Sequence, residues 1–103
     1  MTSTIGDLAK LIRSKNAGPF WLTIDIFCDD DEVFRRIARS PAADAGAIAE
    51  MYSVPADQVR IWPIRSLQAI KISFPRPVPQ GSVGDRDMHG GQQYVPLLAV
   101  VVA

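Results

Sequence analysis

Five groups able to hold an anion fall on one short stretch: Arg13, Ser14, Lys15, Asn16 and Gly18 of the run Arg13-Ser14-Lys15-Asn16-Ala17-Gly18-Pro19-Phe20. A guanidinium forks onto two oxygens of a carboxylate or phosphate, an ammonium adds charge, and N–H groups at a glycine turn form a small anion nest. The spacing is neither a Walker loop nor a dinucleotide fingerprint. A solvated turn over Lys15 to Gly18 is the competing reading. A second set, Asp85, Asp87 and His89, alternates as ligands on one face of an extended segment would. Three such groups suit a metal with an open position, but no second segment contributes ligands, so no metal is assigned. His89 has the right acidity for proton transfer near neutrality, yet a lone histidine among glycines reads as a surface residue.

The other reactive types carry less. Asp29, Asp30, Asp31 and Glu32 stand directly before Val33, Phe34, Ile37 and Ala38, which share one helical face. They therefore read as caps for free N–H groups and not as a cation site. Cys28 is the only cysteine and follows a strand-like run, with no neighbouring histidine to activate it. It reads as a packed side chain, and it leaves no disulfide or multi-cysteine zinc site to form. With one histidine and one cysteine, no nucleophile system can be assembled. Trp21 and Trp62 fit a core, a sheet surface or an interface better than a stacking platform for bases.

Composition bounds the partners. The chain has 103 residues, 48% hydrophobic and 21% charged, which suits one soluble domain over 1–103 with a single core. Eleven basic residues balance eleven acidic ones, so no global field draws it to nucleic acid or an anionic membrane. No basic-then-apolar leader opens the chain, and the run Pro96 to Ala103 is too short to span a bilayer. Lack of a disulfide framework in so short a chain points to a reducing, cytoplasmic setting.

These groups must be held by elements, and the periodicity supplies most of them. Phe20 to Phe27 alternates apolar and mixed residues, as a strand does. A helix follows the acidic run and stops at Pro41, and a second starts near Ala43 or Asp44 and ends before Val54-Pro55. Val59 to Ile64 and Ala69 to Phe74 alternate again, joined by Arg65 to Gln68, with Pro63 marking an edge or bulged strand. Pro75 to Tyr94 is a long Pro/Gly-rich loop, and Leu97 to Val102 reads as a final, central strand covered on both sides. Leu8 to Ser14 is open: Thr4 with Asp7 imitates a capping box, while the segment is short enough for a strand. The whole predicts an α+β architecture, a largely antiparallel sheet of four to five strands with two helices on one face.

From Asp7 through Phe20 the chain resembles the domain-of-unknown-function family 4387, and the resemblance continues through Leu22-Thr23-Ile24-Asp25-Ile26, Tyr52-Ser53-Val54-Pro55, Ala69-Ile70-Lys71, Pro75-Arg76-Pro77, Gly84-Asp85 with Asp87, and Gln92-Gln93 before Pro96-Leu97-Leu98. His89 departs from the aromatic residue usual there, which weakens a catalytic role for it. The resemblance implies a companion of acyclic terpene utilisation proteins, whose relatives handle carboxylic acids or coenzyme A thioesters. It also implies a ferredoxin-like fold, since the order of elements is similar to the small domain ending those larger proteins, and it favours strand over helix for Leu8 to Arg13.

The expected function is a small or accessory subunit of a two-component metabolic enzyme acting on an organic acid or acyl-CoA. Arg13, Ser14, Lys15, Asn16 and Gly18 would bind the anionic group together with Arg76, Gln92 and Gln93 from the long loop. The expected partner is a larger protein resembling acyclic terpene utilisation proteins, with no cofactor, nucleic acid or membrane. The alternative is a non-catalytic interaction domain that forms homo-oligomers through an exposed sheet face or the Trp62 edge and stabilises its partner.

Overall fold

In a computed structural model, the structure describes residues 3–18, 20–76 and 95–102. Strand β1 (Ser3–Thr4) leads into helix α1 (Ile5–Leu8), then strands β2 (Leu11–Asn16) and β3 (Trp21–Phe27) form a hairpin. Helices α2 (Asp31–Ala38) and α3 (Ala45–Tyr52) follow, then a second hairpin of β4 (Arg60–Ile64) and β5 (Ala69–Pro75). A 3₁₀ turn over Val95–Ala99 and strand β6 (Val101–Val102) complete the described order.

The central sheet runs β2-β3-β5-β4, antiparallel throughout. Because β3 and β4 each pair antiparallel with β5, they run parallel to one another with β5 between them, a split β-α-β unit bridged by α2 and α3. The fold is thus α+β with a ferredoxin-like sheet, threaded as hairpin, helices, hairpin.

Each boundary has a local cause. Thr4 and Asp7 form the capping box that the sequence hinted at, so the ambiguous opening is both things in turn: one helical turn at Ile5–Leu8, then strand from Leu11. Asp30 caps α2, its side chain accepting from the Val33 N–H at 2.9 Å. Asp44 does the same for α3 through the Ala47 N–H at 2.9 Å. The acidic run before α2 is therefore spent on the helix start, with Asp31 also paired to Arg35 at 2.8 Å. Arg65, in the β4–β5 connection, reaches the same carboxylate with two bonds at 3.1 and 3.2 Å and ties the second hairpin to α2. Pro63 does lie on an edge strand, where its missing N–H leaves no gap in a central ladder.

The core lies between the sheet and the helices. Leu22, Ile24 and Ile26 of β3 and Ile70, Ile72 and Phe74 of β5 are fully buried, packed in one cluster with Phe34, Ile37, Ile48 and Tyr52. The Tyr52 and Phe74 rings meet at 4.5 Å.

One expectation is corrected. Leu97 to Val102 is not a central strand: a 3₁₀ turn occupies Val95–Ala99, and only Val101–Val102 pairs, antiparallel with Ser3–Thr4 in a separate two-stranded sheet. Both central places belong to β3 and β5, and Pro96 has no N–H to offer a ladder. Leu97, Val100 and Val102 are still buried and join Ile5 in the main core, whereas Val101 is exposed. Gly6 permits that approach: a Cβ there would stand 3.2 Å from the Leu98 carbonyl oxygen.

Candidate functional site

The stretch expected to be an anion-binding loop is mostly strand. Arg13, Ser14, Lys15 and Asn16 all belong to β2, and only the hairpin turn beyond it, with Gly18 at φ +87°, has loop conformation. Strand pleating then divides the expected site, because successive side chains point to opposite faces. Arg13 and Lys15 are exposed on the face away from the helices, whereas Ser14 is buried and Asn16 half-buried on the core side.

Arg76 follows the core side. It is 8% exposed, its backbone N–H donates to the Phe20 carbonyl at 2.8 Å, and its Nη1 donates to Asn16 Oδ1. The structure therefore joins Arg76 to Asn16 but separates both from Arg13 and Lys15. Gln92 and Gln93, like Asp85, Asp87 and His89, lie outside the described residues.

Register assembles a different group around Arg13. Arg13 stands opposite Asp25, Asp25 opposite Lys71, and Lys71 opposite Trp62, one row across all four strands. Beside it run Lys15, Thr23, Ser73 and Arg60 on one side and Leu11, Phe27, Ala69 and Ile64 on the other. No described helix packs on this face. Among the described residues it carries four cations and a single carboxylate; Leu11, Trp21 and Trp62 are exposed on it, while Thr23 and Ser73 are buried.

The charges on this face are not equivalent. Lys71 lies 4.0 Å from Asp25, which is the more sheltered partner. Arg13 has no carboxylate partner among the described residues, and its guanidinium sits over the Phe27 ring, 5.0 Å from the centroid. Lys15 likewise has no ion pair among the described residues. Arg13, Lys15, Asp25 and Lys71 line a depression of about 300 Å³ together with Phe27, Ile64, Leu67 and Ala69. Arg13, Phe27 and Leu67 also line an adjoining depression of about 390 Å³ that continues past Leu11 and Cys28.

Cys28 is buried, and its thiol is pushed up to about 11 by desolvation first and then by the Asp30 and Asp29 charges. It has the properties of a packed side chain and not of a nucleophile. Among the described residues no three His, Cys, Asp or Glu side chains are grouped to hold a metal ion.

Sequence reading missed Lys71, Phe27, Asp25 and Leu67 as companions of Arg13. The signal was present in the alternation of β3 and β5, which puts Asp25, Phe27 and Lys71 opposite the apolar face. What was lacking was the register that sets Arg13 beside Asp25.

The fold and this face define a class: a small α+β domain with a ferredoxin-like sheet, helices on one side and a basic, partly apolar surface on the other. The chain belongs to the family described as Domain of unknown function (DUF4387), whose profile matches residues 5–101. No curated protein and no solved structure matches the chain. No helix among the described residues is long and apolar enough to cross a membrane.

Proposed function

We propose that the chain is a small or accessory subunit of a two-component metabolic enzyme acting on an organic acid or an acyl thioester. The observation that carries this reading is the pair Arg13 and Lys15, exposed without carboxylate partners among the described residues, on a sheet face no described helix covers. Exposed cations with no carboxylate partner among the described residues suit a carboxylate ligand, and exposed Leu11, Trp21 and Trp62 around them suit contact with a larger protein that closes the site. That partner, in this reading, resembles the acyclic terpene utilisation proteins, and the setting is cytoplasmic, in keeping with one unpaired cysteine. The anion site differs from the sequence expectation in membership: Arg13 and Lys15 remain, Lys71 joins them, and Ser14, Asn16 and Arg76 serve the core side.

The test is co-expression with such a larger protein, followed by size-exclusion chromatography and assay of the joint turnover of organic acids. Co-elution, with turnover lost in Arg13→Ala at unchanged complex formation, is the expected result. Separate elution and turnover indifferent to Arg13 would overturn the proposal.

A second reading is favoured by the exposure of Trp62, 47%, on the edge strand. A non-catalytic interaction domain, joining copies of itself or stabilising its partner, needs that ring and not the cations. Trp62→Ala would then break the assembly, and Arg13→Ala would leave it and its activity intact.

A further inference from the structure

Strand register offers Arg13 two neighbours on β3. Asp25 stands directly opposite, close enough for a cross-strand ion pair, and Phe27 is the diagonal neighbour two residues further along the same face. The guanidinium lies over the Phe27 ring, 5.0 Å from the centroid, and no ion pair joins it to Asp25. Asp25 instead meets the cation on its other side, Lys71, at 4.0 Å. Arg13 and Phe27 together line both depressions on this face, so their contact belongs to the candidate site itself.

Which neighbour holds Arg13 decides what it can bind. An ion pair with Asp25 would cancel its charge and take up in-plane N–H donors, the same donors that a ligand carboxylate needs. The ring attracts the cation through its quadrupole, offers no oxygen and leaves the charge in place. At an exposed site the two contacts are of similar strength, so losing the ring would hand the guanidinium to Asp25. We propose that Phe27 is a positioning residue, its ring holding the Arg13 guanidinium off Asp25 and keeping the planar fork available to a ligand carboxylate. The role rests on the organic-acid reading above, in which Arg13 is the ligand cation. Phe27 acts there through Arg13 and not on the ligand.

The experiment is a nuclear magnetic resonance titration with acetate, at constant ionic strength, of the full chain and of Phe27→Leu, Phe27→Tyr, Asp25→Asn and the double variant Asp25→Asn with Phe27→Leu. Without acetate, the Arg13 side-chain signals should be displaced upfield by the ring, lose that displacement in Phe27→Leu and keep it in Phe27→Tyr. Acetate should shift the Arg13 signals and bind Phe27→Leu about two- to fivefold more weakly, the range of an exposed cation–π contact, with affinity restored in Phe27→Tyr. Asp25→Asn removes a negative charge in either background. Its gain in acetate affinity should be about two- to fivefold larger in Phe27→Leu, because only there does Asp25 compete for Arg13, and a merely disturbed fold would not produce that difference. Phe27 is half-buried, so circular dichroism accompanies each variant, while the ring displacement of Arg13 is read in the unsubstituted chain. Absence of that displacement, equal acetate affinity in Phe27→Leu, Phe27→Tyr as weak as Phe27→Leu, or the same gain from Asp25→Asn in both backgrounds would overturn the role of Phe27 and leave Arg13 as the ligand cation. Acetate without effect on Arg13 in the unsubstituted chain would overturn the anion site, and the role of Phe27 with it.

Discussion

Arg76 and Asn16, sixty positions apart, are joined by a hydrogen bond from the arginine Nη1 to the asparagine Oδ1. The contact secures the β2 end nearest the β2–β3 turn to the point where the chain leaves β5, and it lies across the sheet from Arg13 and Lys15. Residues adjacent in sequence thus serve different purposes. Asn16 holds a buried guanidinium, and Lys15, one position earlier, faces solvent.

Asn16→Ala should therefore act on stability and not on the open face. Removing an acceptor from a buried charged donor costs about 1–3 kcal/mol. In a chain of this size each kcal/mol lowers Tm by about 4–8 °C. Thermal unfolding followed by circular dichroism measures this, and an unchanged Tm would show that the bond contributes nothing.

Arg13→Ala should behave in the opposite way. The side chain is exposed, and the described contact it loses is the Phe27 ring, worth about 0.5–1 kcal/mol for an exposed cation. Tm should stay within a few degrees while carboxylate binding at the face is lost. A large fall in Tm would make Arg13 a structural residue.

Neighbouring substitutions on β5 should separate the two faces of the sheet. Ile72 is fully buried between Ile24 and Ile61, so Ile72→Ala should cost about 2–5 kcal/mol, read from a urea midpoint. Lys71→Ala, one residue away, removes a partly exposed pair with Asp25 and should change stability by less than about 1 kcal/mol.

The helix caps offer a local test. Asp30→Ala and Asp44→Ala each remove a side-chain acceptor from a first-turn N–H, which costs about 1 kcal/mol apiece. Because α2 and α3 start at separate points, the two losses should add in the double variant. A double variant as stable as either single one would mean the caps are replaced by solvent at no cost.

Cys28 predicts a pH response. Its folded thiol is raised from 9.0 to about 11, so the folded chain holds this proton more tightly than the unfolded one. The associated stability is complete below pH 9 and is lost as pH rises through about 11. At pH 8, iodoacetamide should alkylate the folded chain roughly a hundredfold more slowly than the urea-unfolded chain, from thiolate fraction alone. Equal rates would mean that the thiol is neither buried nor shifted.

Local structure was largely legible in the residues. Thr4 with Asp7 leaves the opening segment undecided between helix and strand, but Asp30 and Asp44 mark the starts of α2 and α3, the alternation from Phe20 to Phe27 and from Ala69 to Phe74 marks the central strands, and Pro63 suits the edge. Each of these signals acts within a few residues, through a cap, a pleat or a missing donor, so sequence alone determines them. The membership of the open face was not local. Nothing in Arg13-Ser14-Lys15-Asn16 distinguishes a polar loop from an edge strand until β3 supplies the ladder. Only that pairing sends Arg13 and Ser14 to opposite faces.

The final segment shows the same limit. A continuous apolar run states that Leu97 and Val102 will be buried, but not beside what, and the central places in the sheet had gone to strands with longer uninterrupted ladders. The sequence by itself determined which residues seek burial and where helices begin. Tertiary structure decided which side chains meet, because strand register, set by contacts distant in the chain, put Arg13 beside Asp25 and Lys71 and bonded Arg76 to Asn16.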